Sequence, residues 1–194
     1  MTASLEQEIQ DLESSIVELN HRIQVLYLEY AQVVAQATRR QLILATFSIC
    51  TSHYPSRFLQ LSPSDRQLLQ SSIVAVADRL QHKIVELFQV NVTEQSPDEI
   101  DRLLNLTINE FTEQTNFILA QNHILPQLAE GSPRVVLRLQ EVEFTDRNVM
   151  SQRGELRVLT NRKEKLKLDL EQKRKIKLTI EAEEAWRSSW TENL

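Results

Sequence analysis

Glycine is almost missing from this chain: its 194 residues include two, Gly131 and Gly154, beside five prolines and one cysteine. With so few residues able to take a positive φ, hairpin turns and glycine-rich phosphate loops have almost no raw material. The single cysteine, Cys50, excludes an internal disulfide and agrees with a reducing compartment. No uninterrupted apolar stretch approaches the ~20 residues that span a bilayer. The opening MTASLEQEIQ has neither the basic segment nor the apolar segment of a secretory leader. The expectation is an all-α, soluble, cytoplasmic protein with no membrane span, in which the two Asn-x-Thr sequons at Asn91 and Asn105 are chance matches.

Leucine, glutamate, glutamine, arginine and serine are the commonest residues, and the order of residues is more telling than their number. Leu5, Ile9, Leu12, Ile16, Leu19, Ile23 and Leu26 step by four and three without a break. This is a heptad seam with isoleucine at every a position and leucine at every d position. Such a stripe needs a partner helix, and this residue choice suits a parallel two-stranded coiled coil. The flanks disagree. A parallel homodimer sets Glu8 against Glu13 with no opposite charge between them. An antiparallel mate from a basic helix, within one chain or across two, removes the conflict.

A basic helix of that kind is present. Residues 1–30 hold six acids and one base, Arg22, whereas 153–177 hold ten bases and four acids, although the whole chain carries a net charge of −5. The bases that make the face are Arg162, Lys163, Lys165, Lys167, Lys173, Arg174, Lys175 and Lys177. Two functions suit such a run: contact with an acidic partner helix, or neutralisation of a polyanion such as a nucleic-acid backbone. No aromatic residue is interleaved with the bases, which disfavours single-strand stacking.

The apolar stripe widens beyond Val33 to take in Leu42, Ile43, Leu44, Phe47, Ile49 and Cys50, so the first helix passes from a seam into a core and ends before Pro55. Ser62-Pro63-Ser64-Asp65 and Ser96-Pro97-Asp98-Glu99 each read as a helix start with an N-cap, a proline at the first position and acids in the first turn. The two helices that follow make an antiparallel hairpin. Asn122 to Pro133, with two prolines and a glycine, reads as a hinge or linker. Beyond it, Val135, Val142, Val149, Leu156 and Leu170 share one heptad position, and Leu159, Leu166 and Ile180 another. This favours a second long helix over a hairpin across 164–181. The expected domains are an N-terminal coiled-coil helix over 1–41, a helical core over 42–128, and a long basic C-terminal helix with a tryptophan tail over 129–194.

No catalytic signature is written in the chain. The four histidines are scattered, and H-E-x-x-H, G-x-S-x-G and phosphate-loop motifs do not occur. Cys50 and His53 supply half of a metal site, and nothing nearby has the spacing of the other half. Asp98, Glu99 and Asp101 are explained by the dipole of a helix's first turn. The expectation is therefore a non-enzymatic protein without metal or cofactor. Its function is assembly or adaptor work through helical surfaces, as a homodimer or higher oligomer with a protein partner; polyanion binding is the alternative. Trp186 and Trp190, spaced i, i+4, form one aromatic ridge that suits either a clasp on the bundle or a docking patch.

Overall fold

A computed structural model describes residues 2–91, 97–126 and 131–191. The fold is all-α, with long N-terminal and C-terminal helices and no strand among the described residues. Helix α1 (Thr2–Ser48) runs into a π-helical turn, Ile49–His53. It is followed by α2 (Pro55–Gln60), α3 (Pro63–Asn91), α4 (Pro97–Gln121), α5 (Leu139–Thr145) and α6 (Arg147–Thr191). None of the described helices is long and apolar enough to cross a membrane. The chain divides into two compact units, residues 1–26 with 154–194 and residues 27–153. These divisions fall inside the two long helices.

The larger unit has its core where α1, α3 and α4 meet. Tyr30, Val34 and Leu42 of α1, Leu80, Ile84 and Phe88 of α3, and Leu104, Ile108 and Leu119 of α4 are all essentially inaccessible. Phe88 stands edge-on to Tyr30 with ring centroids 5.8 Å apart and lies 6.2 Å from Tyr27, in the range where aromatic pairs add to simple burial. Four buried threonines on these helices satisfy their hydroxyls locally: Thr38, Thr46, Thr112 and Thr115 each donate to the carbonyl four residues back at 2.7–2.9 Å.

Local signals set several of the boundaries. Ser62 Oγ accepts the Asp65 N–H at 3.1 Å and donates to the Asp65 carboxylate at 2.7 Å, which starts α3. Pro97 opens α4, and the expected Ser96 cap lies outside the described residues. At the far end of α4, His123 adopts φ +58°, the Ile124 N–H returns to the Leu119 carbonyl and the His123 N–H to that of Ala120. This is a Schellman stop with histidine in the left-handed position that glycine usually takes. Arg57 of α2 donates to the freed carbonyl of Ile124 at 3.2 Å.

The second long helix begins later than its heptad pattern implies. Residues 132–138 are not helical, so Val135 and Leu137 are buried from a non-helical segment. Helix then starts at Leu139 and breaks at Asp146, whose Oδ1 accepts the N–H groups of Asn148 and Val149 and so caps α6. The reason lies in α4. Asn116, buried at 4% exposure, donates from Nδ2 to the Val135 carbonyl and accepts the Val135 N–H at Oδ1, both at 2.9 Å. One side-chain amide thus provides both hydrogen bonds of a missing neighbour strand. The 164–181 stretch, by contrast, is continuous helix.

Replacing Asn116 with leucine would leave a buried N–H and a buried C=O unpaired, so a loss of about 2–4 kcal/mol is expected. Urea denaturation measures it, and Asn116→Asp, which keeps only the acceptor, should fall between the two.

Candidate interaction surfaces

The smaller unit consists of the first part of α1 and most of α6 lying antiparallel. The direction follows from four cross-helix ion pairs: Lys177 with Glu6 (2.8 Å), Lys173 with Glu8, Arg174 with Glu13 (2.7 Å) and Arg22 with Glu155 (3.2 Å). Along α1, Leu5, Leu19, Ile23 and Leu26 are buried and Ile9, Leu12 and Ile16 half-buried. The whole seam therefore faces inward. On α6, every residue between 161 and 180 that escapes full exposure falls on one three-and-four spacing: Lys163, Leu166, Leu170, Lys173, Lys177 and Ile180. Leu156 and Leu159 begin the same stripe.

Three of those inward positions are lysines, which lay their methylene stems along the seam and carry the ammonium to its edge. Lys173 and Lys177 reach Glu8 and Glu6 in this way. The register of the ion pairs sets leucine and isoleucine opposite each other through the middle of the pair and lysine opposite Leu5, Ile9 and Leu19. Glu8 and Glu13, which a parallel self-pairing would place in conflict, each meet a base of α6 instead. The hydrogen bond from Lys177 holds the Glu6 carboxyl below its ordinary range, and the same contact raises the Lys177 ammonium.

The eight bases of the predicted polyanion face have different surroundings. Lys173, Arg174 and Lys177 are engaged with α1, Lys167 pairs with Glu164 at 3.1 Å in its own helix, and Lys163 turns into the seam. Arg162, Lys165 and Lys175 are exposed and make no ion pair among the described residues. Trp186 is 65% exposed on α6. Trp190 falls on the same helix, and its side chain lies outside the described residues. Cys50 and His53 sit in the π-helical turn, the thiol buried and its pKa raised by that burial, the imidazole exposed.

A cluster that sequence reasoning passed over occupies the larger unit. Arg153, 8% exposed, is ion-paired with Asp101 of α4 and lies with Nε 3.4 Å from Glu143 Oε1 of α5. Its guanidinium carbon is 5.7 Å from the centroid of Tyr30 on α1, and the Tyr30 hydroxyl donates to Glu143 at 2.7 Å. Burial, then the neighbouring Glu143 carboxylate, drives the Tyr30 phenol far above its usual range, so it stays a donor throughout accessible pH. Burial also raises the Asp101 carboxyl above the ordinary 3.8, with Arg153 opposing it. Asp101 Oδ1 and Arg153 Nε are buried without a hydrogen-bond partner. The cluster thus holds two carboxylates around one cation with incomplete hydrogen bonding. In sequence, Arg153 counted as the first base of the basic run and Asp101 as a first-turn acid. Glu99 of that acid cluster pairs within its own helix, with Arg102 at 2.6 Å.

Comparison of the chain with family models, with curated proteins and with solved structures yields no match.

Removing Arg153 leaves two half-buried carboxylates facing each other. Arg153→Met alone should cost roughly 3–5 kcal/mol, and adding Asp101→Asn and Glu143→Gln should recover most of it. The pH dependence has a definite sign. In the window between 3.8 and its raised folded value, Asp101 keeps in the native state a proton that the unfolded chain has released. Its contribution is full below the window and lost as pH rises through it. Denaturation measured across that range should show a decline that Asp101→Asn removes.

Proposed function

We propose that this chain is a non-enzymatic assembly or adaptor protein that works through coiled-coil-type and helix-surface contacts with other proteins. The observation that carries the reading is the state of the helix pair formed by α1 and α6. Its seam is filled from within the chain and its strongest acid–base contacts are made across that seam, yet large apolar side chains stand on the outer surfaces. Val17, Val158, Leu168, Leu178 and Trp186 are each 58–67% exposed. Isolated exposed apolar residues are ordinary, but Leu178 and Trp186 share one shallow depression on α6 with Thr179 and Ala182. Tryptophan is among the residues on which interfaces concentrate their binding energy.

Polyanion binding is the second reading, favoured by Arg162, Lys165 and Lys175, which are exposed without an ion-pair partner among the described residues. The overall charge of −5 and the engagement of Lys173, Arg174 and Lys177 with α1 weigh against it.

Three sets of variants test these readings. Leu168→Glu with Leu178→Glu and Trp186→Glu should abolish capture of co-purifying protein from the native cell while helicity is unchanged; undiminished capture would sink the adaptor reading. Reversing Lys173 and Lys177 to glutamate should lower the melting midpoint by a few degrees, and reversing Glu8 and Glu6 to lysine in the same chain should restore it. If the basic helix instead serves a polyanion, wild-type binding to DNA or RNA should weaken steeply with salt. Arg162→Glu, Lys165→Glu and Lys175→Glu should then remove that binding with stability unaltered.

A further inference from the structure

The larger unit contains a pocket of about 340 Å³ between the end of α1 and the start of α3. It arises where α1 passes into the π-helical turn, whose wider ring displaces the backbone from an ordinary helical path. Leu69, Ile73 and Cys50, all at most 5% exposed, lie at its base, while Phe47 and Val74, 63% and 38% exposed, stand at its rim.

No charged side chain lines this space. The hydroxyls that do are already engaged, Thr46 with the Leu42 carbonyl and Thr51 with that of Phe47, both at 2.8 Å. Burial raises the Cys50 thiol, which keeps it uncharged. Gln70, exposed at the edge, is the lining side chain with N–H donors still to offer, the threonine hydroxyls keeping only acceptor capacity. Charged groups occur just beyond each end and are committed elsewhere. One turn from Ile43 and Val74, Arg39 is bonded to Asp78 at 2.6 Å. Beside Phe58, Arg66 lies 5.7 Å over the ring and donates to the Phe58 and Leu59 carbonyls at 3.2 and 2.6 Å.

These features select an occupant. Desolvating a charge inside this lining has no compensation, so the body of the ligand must be neutral and apolar. The pocket runs from Ile43 of α1 to Thr51 of the π-helical turn, about 12 Å along the helix axis. A docked helix would need a groove open at both ends, and this one stops at Arg39–Asp78 and at Arg66–Phe58. An apolar cavity of roughly 150 Å³ accommodates benzene, so twice that volume suits a single chain of about ten carbons.

We propose that this pocket binds a neutral single-chain aliphatic molecule of the medium-chain alcohol class, its hydroxyl at Gln70 and its chain against Leu69 and Ile73. The inference does not rest on the adaptor reading and is tested apart from it. The full chain is titrated with the neutral fluorophore N-phenyl-1-naphthylamine, which is then displaced by a series of n-alkanols. Affinity should rise about fourfold per methylene, the factor equivalent to ~0.8 kcal/mol, and level off near ten carbons. Decanoate, with the same length and a charged head, should bind at least tenfold more weakly than decanol. Val74→Trp, at the exposed rim, should fill the space and weaken decanol binding at least tenfold with an unchanged or higher melting midpoint. Thr46→Val, which removes only an engaged hydroxyl, should bind as the wild type does. Non-saturable probe uptake, no dependence on chain length, or undiminished binding in Val74→Trp would overturn the proposal.

Discussion

A guanidinium withdrawn from water cannot be left without counter-charge, and Arg153 turns that requirement into a constraint on four helices. Its partners come from α1 (Tyr30), α4 (Asp101) and α5 (Glu143), while it is itself part of α6. The apolar contacts among these helices are non-directional and would tolerate small rotations or slips. The guanidinium is planar and its bonds are directional, so it discriminates among packings that burial alone would leave nearly equal. The same economy appears at Asn116, where one amide fixes both the position and the polarity of the segment around Val135. Directional polar contacts thus fix the larger unit both between its helices and at the non-helical segment around Val135.

Much of the architecture was legible in the linear order of residues, and the failures have physical causes. The seam from Leu5 to Leu26 is apolar at every inward position, so its period is visible without a partner. The mate on α6 is harder to read because Lys163, Lys173 and Lys177 take inward positions, a placement that depends on acids of α1 far away in the chain. The early start assigned to the last helix failed at Val135. Heptad spacing records only that a residue faces inward, and an extended segment that buries alternate residues can match it over a short stretch. Val135 and Leu137 are buried in that alternating way.

The Arg153 cluster was beyond reach for a different reason. Arginine within a basic run resembles a solvated face, and aspartate in a first helical turn resembles a dipole partner. Both local explanations were sufficient on their own. Only the juxtaposition of α4, α5 and α6 shows that Asp101 and Arg153 belong together. The pocket beside Cys50 was equally unmarked, since it comes from a change in helical pitch and not from any residue type. Leu42, Ile43, Phe47 and Cys50 read as one broad apolar face, without a sign that the backbone widens beneath it.

That change of pitch has a consequence for how the chain tolerates alterations in length. A helix accumulates phase, roughly 100° per residue, so a residue added or lost midway in α1 would turn everything after it to the wrong side. The π-helical turn at Ile49–His53 holds one residue more than an α-helical turn requires. Deleting one residue there converts the loop of backbone into an ordinary turn, with its hydrogen bonds shortened in register and not broken. The turn therefore serves as slack in the chain, a place where an insertion or deletion is absorbed by local geometry before it reaches α2 and α3.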